Sequence, residues 1–405
     1  MKVLFLISSF PKLSETFILN QITGFIDRGI DVEILSWNKV DNKKNHAQVS
    51  EYNLLEKTHF LNFPASKSKR LAGGMKIFLK QVWRSPKAVF NALNYKKYGK
   101  MIFTTRFLYA LPYFIEKEQH DAVICHYGPN GSVAAFLKDQ GLLPEKTAVF
   151  FHGHDITSFI ESRGSDVYDT LLNSDIDLLP VSELFADKLL QIGADSNKIR
   201  VHHMGIDLNE YSLVSLAPPG DTMKFLSIGR LTEKKGMDVA IQTIGELKKR
   251  GHQVSLDIIG EGELRAEMEA LIESQKLENE VKLIGWQSQA EINHAIQEAD
   301  MMLQLSRTAT NGDKEGIPVV LMEAMGRGKL ILSTEHSGIP ELITDGLSGW
   351  LVPENNVAKS VEKILEIKNN PDTWLPVSLN ARAKINEQFN IMTLNDQLAG
   401  YCSTK

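Results

Sequence analysis

Short apolar runs alternate with amphipathic stretches along most of the chain. Val3–Ile7 is one such run, stopped by Ser8-Ser9, and Asp31–Ser36 holds the next. Continuous apolar runs of this length suit strands buried on both faces of a parallel sheet. Between them, Glu15–Arg28 repeats apolar residues at helical spacing, with Ser14 placed to cap its start and Gly29 to end it. The alternation predicts further strands at Asp121–His126, Ala148–Phe151, Asp177–Val181 and Ile199–His203, with helices at Ser132–Gln140 and Glu183–Gly193. Strand, helix and strand in this order imply right-handed crossovers and a doubly wound sheet.

The alternation pauses at Ser212–Asp221, a stretch of small residues around Pro218-Pro219 that reads as an interdomain linker. It then resumes with strands at Lys224–Ile228, Gln253–Ile259, Val281–Ile284, Met301–Leu305 and Leu330–Ser333. Helices at Met237–Arg250, Leu264–Gln275, Ala290–Ala299 and about Pro318–Arg327 fall between or beside them. The expected organisation is α/β, with one Rossmann-like domain over 1–211 and a second over 221–384 facing it across a cleft. The tail from Trp374 is helical in pattern, with Ala381, Ile385, Phe389 and Leu394 as apolar anchors. A length of 405 residues also favours two domains over one.

Composition narrows the function classes. A hydrophobic share of 43% with 23% charged residues is that of an ordinary globular protein. A net charge of −5 argues against nucleic acid as a partner. Cys125 and Cys402 are too few for a disulfide framework, which points to a reducing cytoplasm. No apolar run approaches the roughly 18 residues that span a bilayer, and the first run lacks the cleavage pattern of a signal peptide. Charge is nevertheless uneven: residues 57–115 hold twelve Lys and Arg and no Asp or Glu, with aromatics interleaved. Met75–Arg84 reads as a basic helix broken at Ser85-Pro86, followed by a second helix over Pro86–Asn94. Ile77, Phe78, Val82, Trp83 and Phe90 are then available to enter the headgroups of an anionic membrane. The competing reading puts these aromatics in the core of the first domain, with the lysines solvated outside.

The chemistry concentrates in Glu315-Gly316-Ile317-Pro318-Val319-Val320-Leu321-Met322-Glu323. Proline suits a helix start, so the N–H groups of Val319 and Val320 are expected at a helix N-terminus, where the dipole favours an anion such as a phosphate. A carboxylate on either side suits a diphosphate flanked by hydroxyl-rich groups, since a carboxylate accepts two strong hydrogen bonds from vicinal hydroxyls. The bland alternative is an amphipathic helix with two solvated glutamates. Gly229-Arg230-Leu231-Thr232-Glu233-Lys234-Lys235-Gly236 follows a strand, and Arg230 with Lys235 can grip a diphosphate. Its bland alternative is a solvated basic loop. His152-Gly153-His154-Asp155 also follows a strand. As metal ligands these three side chains lack a further His or Cys to complete a site, so no metal site is expected.

These motifs, with Ala324–Gly328, Ser337-Gly338-Ile339-Pro340-Glu341-Leu342-Ile343 and Asp345–Val352, resemble the C-terminal half of retaining glycosyltransferases of family 4, which have the GT-B architecture. The resemblance implies that Glu315 holds the donor sugar and Glu323 the ribose, with Gly316, Ile317, Val319 and Val320 between them. It implies that Arg230 and Lys235, in a G-R-L-x-x-x-K-G pattern, bind the donor phosphates, with Lys234 offset by one. Backbone atoms around Gly260, Gly262 and Trp286 would hold the base, UDP being favoured over GDP. His152, in a His-Gly-x-Asp pattern, would be the active-site histidine.

The N-terminal S-x-x-P-x-x-S-E-T-F is similar to a subgroup found in bacterial exopolysaccharide assembly, which puts Ser14, Glu15, Thr16 and Asp155 on the acceptor side. The resemblance further implies metal-independent, cofactor-free, retaining transfer of a hexose from a nucleotide sugar to a glycan or lipid-linked saccharide. It also implies a final helix, about 385–405, crossing back to the first domain, and a cytoplasmic enzyme that works at the membrane face if residues 57–115 bind it. A GT-B epimerase acting on the donor alone, or a non-catalytic nucleotide-sugar-binding protein, are the rival readings. A dinucleotide-dependent oxidoreductase would need a Gly-rich turn that Pro11–Thr16 does not supply.

Overall fold

The computed structural model describes residues 1–405 apart from 13–14, 41–45, 117–119, 215, 217–219 and 405. Ser14, expected as a helix cap and on the acceptor side, lies outside the described residues, as does part of the linker. The chain forms two compact units, Met1–His202 with Met392–Lys405, and His203–Ile391. The division falls ahead of Ser212–Asp221. Ile206, Leu208 and Tyr211 already pack in the core of the second unit, and Ile206 N–H donates to Phe389 O. Apolar side chains therefore commit the chain to the second unit before the Pro-Pro stretch is reached.

The first unit is built on six parallel strands: β1 (Lys2–Phe10), β2 (Asp31–Lys39), β3 (Thr58–Phe60), β4 (Ala122–His126), β5 (Lys146–Phe151) and β6 (Asp177–Pro180). Their order is β3-β2-β1-β4-β5-β6. Val3 to Ile7 are at most 1% exposed, as expected of a strand covered on both faces. The predicted strand at Ile199–His203 is instead an extended segment on the margin of β6. Arg200 and His202 N–H donate to Leu178 and Pro180 O, and only a single bridge, Leu178 with Ile199, forms.

Five helices of this unit matter below: α1 (Thr16–Asp27), α2 (Lys67–Gln81), α3 (Pro86–Asn91), α4 (Arg106–Glu116) and α5 (Gly128–Asp139). The basic helix thus starts eight residues earlier than the sequence suggested (67 against 75), and this changes which face is free. Ile77, Phe78 and Val82 pack against the core formed with α4 and α5. Leu71, Met75, Leu79 and Trp83, spaced four apart, are 61–89% exposed. Of the five side chains expected to meet a membrane, three belong to the core side, while Trp83 and Phe90 remain outside. Glu116, just beyond the acid-free stretch, reaches back to pair with Arg84 and Lys80.

The second unit repeats the plan with β7 (Met223–Ile228), β8 (Val254–Ile259), β9 (Val281–Gly285), β10 (Met301–Gln304), β11 (Leu330–Thr334) and β12 (Trp350–Val352). The order β12-β11-β10-β7-β8-β9 is that of the first sheet, counted from the first strand of each unit. In both sheets the strand order therefore reverses between the first and fourth strands, β1/β4 and β7/β10, while all strands stay parallel. Beyond the carboxyl ends of such strands lies the crevice where doubly wound folds bind ligands. In this unit α6 (Met237–Lys249) follows the Arg230–Gly236 loop, and α7 (Val319–Gly326) follows Glu315. Trp374–Gln388 and Ile391–Ser403 form two closing helices, parted at Phe389-Asn390. Among the described residues no helix is long and apolar enough to cross a membrane.

Candidate active site

In the second unit the β7–α6 loop and the Glu315 loop meet beside the switch point. Lys235 Nζ lies 3.0 Å from Glu315 Oε1, both side chains largely buried. Burial alone would raise the Glu315 carboxyl, but the Lys235 and Lys234 charges outweigh it and hold the group below the ordinary range. Among the described residues no donor other than the Lys235 ammonium reaches Glu315 Oε1. A buried carboxylate with a single donor keeps capacity to accept from a ligand.

The Glu315 loop is held from behind. Its N–H donates to His336 Nε2 at 3.2 Å, and Ser337 Oγ donates to Glu315 O. His336 Nδ1 faces Glu354 Oε1 at 2.6 Å. An Nε2 that accepts leaves the ring proton on Nδ1, donated to Glu354. Glu354 in turn accepts from Thr308 N–H at 2.8 Å. Gly338 completes the turn: a Cβ there would meet the Ile317 side chain at 2.8 Å and Gly316 O at 3.1 Å. His336 and Glu354 did not stand out in the sequence, and Ser337 did so only as the start of a motif, because their partners lie 18–22 residues away.

Pro318 is the N-cap of α7 rather than its first turn. Among the described residues no acceptor takes the N–H of Val319 or Val320, and the bonded N–H groups begin with Leu321 and Met322, to Pro318 O. Both valines are half-buried, so the open end of this helix is accessible. Ile317, by contrast, is 8% exposed in the core, leaving only its backbone for a ligand. Glu323 sits one turn into α7, accepting from Tyr211 Oη at 3.3 Å. Burial pushes its carboxyl up to about 6, against the opposing pull of Tyr211 and Arg327.

Arg230 is exposed and makes no ion pair among the described residues. Lys234 is taken by Asp313 at 2.9 Å, so it anchors the Asn311–Lys314 insert. Gly260 and Gly262 serve the packing of adjacent loops. A Cβ on Gly260 would stand 1.9 Å from Gly229 O, and one on Gly262 2.4 Å from Leu231 O. Gly260 N–H is spent on Gly285 O, next to Trp286, which is 60% exposed.

In the first unit the matching switch point gathers a second cluster. His126 closes β4 and His152 follows β5; His126 Nδ1 and His152 Nε2 are 2.9 Å apart. Burial depresses both rings, His152 to about 3 and His126 well below its ordinary value, with the His152 charge adding to the second shift. Two stacked, desolvated imidazoles share one hydrogen bond and stay neutral. Phe17 on α1 covers His152 at 4.8 Å, as does Tyr127 at 4.8 Å from the other strand. Tyr127 has φ +73°, a left-handed conformation uncommon for a bulky residue and typical of functional turns. Its hydroxyl donates to Glu15 Oε1 at 2.9 Å, and Lys12 Nζ reaches the same atom at 2.6 Å.

Glu15 is thus buried beside the histidines, and Thr16 opens α1 next to it. Asp155 has a different task. Its oxygens accept from His152, Gly153 and Gly128 N–H at 2.9–3.0 Å, fixing the turn that presents His152. His154 is exposed and bonded to Ser158. Among the described residues no three His, Cys, Asp or Glu side chains gather as a metal-ligand set. Tyr127 and His126 were not singled out in the sequence, and Phe17 only as the end of the N-terminal motif. The pairing of β4 with β5 and of β1 with β4 is what joins them.

Residues 212–388 match the family described as "Glycosyl transferases group 1". The chain is 38% identical over 411 residues to the putative colanic acid biosynthesis glycosyltransferase WcaL of Salmonella typhimurium, covering 100% of both. It is 38% identical over 407 residues to the amylovoran biosynthesis glycosyltransferase AmsK of Erwinia amylovora, covering 98% of each. Its fold matches that of Anabaena HepE, solved in complex with UDP, with a TM-score of 0.72 at 18% identity over 100% of both chains.

Proposed function

Since the chain belongs to the group 1 glycosyltransferases and has the GT-B fold, we propose that it is a retaining, metal-independent hexosyltransferase of exopolysaccharide assembly that uses a UDP-sugar. The observation that carries the reading is the half-empty Lys235–Glu315 pair beside the open N-terminus of α7. A donor diphosphate takes Lys235, Arg230 and the Val319 and Val320 N–H groups, which stabilise the charge that grows on it. Glu315, with a free lone pair, accepts from a hydroxyl of the sugar, and Glu323 from the ribose. The bond from C1 to the diphosphate oxygen breaks as the acceptor oxygen attacks the same face. The acceptor proton passes to the departing diphosphate, so neither a protein nucleophile nor a cofactor is required. Neutral His152 donates or accepts a hydrogen bond without adding charge.

The similar WcaL and AmsK names support an extracellular-polysaccharide product, and the UDP in HepE supports the base. The deciding experiment is a thermal-shift panel of UDP, GDP, ADP and TDP, then their sugars, run in chelator. Stabilisation by UDP and by one UDP-sugar supports the reading. No nucleotide response, or one that needs a divalent metal, contradicts it.

The acceptor is read as lipid-linked and met at the membrane surface. The exposed stripe Leu71, Met75, Leu79 and Trp83, flanked by Lys76, Lys80 and Lys87, supports peripheral binding to an anionic leaflet on the cytoplasmic side.

A further inference from the structure

A cavity lies wholly within the first unit, and neither His126 nor His152 lines it. It encloses about 510 Å³, within the roughly 300–1,000 Å³ of small-ligand sites. Arg70 of α2, Arg106 of α4, Lys96 and Lys100 of the segment between α3 and α4, and Arg163 of the helix Ser158–Arg163 line it. None of these five cations has an ion-pair partner among the described residues; Lys97, beside them, is already held by Asp139. Asp166 and Asp169 are the carboxylates of the lining, leaving cations in excess.

The two arginines are the telling pair. Arg70 and Arg106 flank the same Phe63 ring, their guanidinium carbons 5.4 and 5.8 Å from its centroid. Arg106 also stands 5.1 Å from the Trp37 ring. Arg70 Nε is buried with no hydrogen-bond partner. Burial first, then the Arg70 charge, pull the Arg106 guanidinium below its ordinary range. Arg70 Nη2 donates to Ala65 O at 3.3 Å, which leaves its Nε unspent. Two like charges, partly desolvated and with no acid between them, are stabilised by a bound anion. Guanidinium forks match phosphate oxygens in pairs, which a chloride would not use. Phe107 and Phe159 also line the cavity and offer apolar surface to the rest of an ester.

We propose that this cavity is a phosphate-recognition site for a phosphate or diphosphate ester, the anionic end of the acceptor. The acceptor identity rests on the transferase reading above; the anion site does not.

Inorganic pyrophosphate is the first probe, measured by calorimetry on the full chain. A parent carrying Arg230→Gln and Lys235→Gln removes both cations of the donor phosphate grip, so the affinity that a further cavity substitution takes away reports on this cavity. Saturable one-to-one binding to that parent is expected, weakened at least tenfold by Arg106→Gln. Because Arg106 packs on Trp37, the exposed rim pair Lys100→Gln with Arg163→Gln serves as the second variant, and at least threefold weakening with an unchanged unfolding temperature is expected. Farnesyl diphosphate in phosphatidylcholine vesicles then separates the sources. Binding at least tenfold tighter than pyrophosphate assigns a lipid-borne ester, and equal binding assigns a soluble one. No saturable binding to the parent, or an affinity untouched by both variants, overturns the proposal. Failure of the donor reading would show instead as unchanged UDP binding in the parent.

Discussion

Lys235 Nζ and Glu315 Oε1 stand 3.0 Å apart, five residues past Arg230 on one loop and at the mouth of α7 on another. Each is the other's main compensation in a largely buried place. Removing one leaves an uncompensated charge, which typically costs about 3–5 kcal/mol. Lys235→Ala is therefore expected to destabilise the unliganded protein by about 3 kcal/mol at neutral pH. The double change Lys235→Ala with Glu315→Ala should cost less than Lys235→Ala alone. Denaturant unfolding of the four forms measures the coupling, and strictly additive losses would mean that the pair is only a surface contact.

Glu323 gives a pH signature of opposite sign to that of most paired carboxylates. Its folded value, about 6, is above the ordinary range. The stability it contributes is complete below the unfolded carboxylate range and lost as pH rises through about 6. If Glu323 holds the ribose as proposed, it accepts in its ionised form, and nucleotide affinity should fall as pH drops below about 6. Glu323→Gln should bind weakly with a flat profile between pH 5 and about 8. A wild-type affinity constant across that range would detach Glu323 from the ribose.

The histidine pair behaves in the reverse sense. His152 folds with its value lowered to about 3, so the unfolded chain binds more protons between there and the ordinary histidine value near 6.5. Stability should rise with pH across that window and be lost as pH falls through it. His152→Asn should flatten the slope, read from unfolding midpoints at a series of pH values. Ring signals of His152 titrating above pH 5 would show that the pair is charged and solvated.

Membrane binding is expected to need both halves of the α2 surface. Wild type should float with anionic vesicles at low salt, and less at high salt. Changing Lys76, Lys80, Arg84 and Lys87 to glutamine should abolish flotation, and Leu79→Ser with Trp83→Ser should weaken it while leaving the fold intact. Wild type that stayed with the soluble fraction would reduce the stripe to a solvated face.

The strand and helix alternation of both units was legible because parallel strands buried on both faces are written as unbroken apolar runs. The placement of Arg230 and Lys235 on a loop after β7, and of Glu315 and Glu323 before and within α7, was legible because strand ends, glycines and Pro318 mark these turns in the sequence. The ion pair between Lys235 and Glu315 was not, since two loops far apart in the chain must meet to make it. The same holds for His336 behind Glu315 and for Tyr127 over His152. The phase of α2 was misread because apolar residues occur on both its faces: Ile77 and Phe78 look as free in sequence as Leu79 and Trp83. Gly260 and Gly262 were visible in the sequence, but not that they lie against Gly229 O and Leu231 O of the neighbouring loop.

The most direct test of the central claim compares UDP with a cognate UDP-sugar on wild type and Glu315→Gln, by calorimetry and by turnover with a lipid-linked acceptor. The account predicts that UDP binds the variant within about threefold of wild type, while the extra affinity brought by the sugar disappears. Turnover should drop at least a hundredfold, the scale of a lost transition-state contact. A variant that bound the UDP-sugar and transferred it as wild type does would contradict the assignment of Glu315 to the donor sugar.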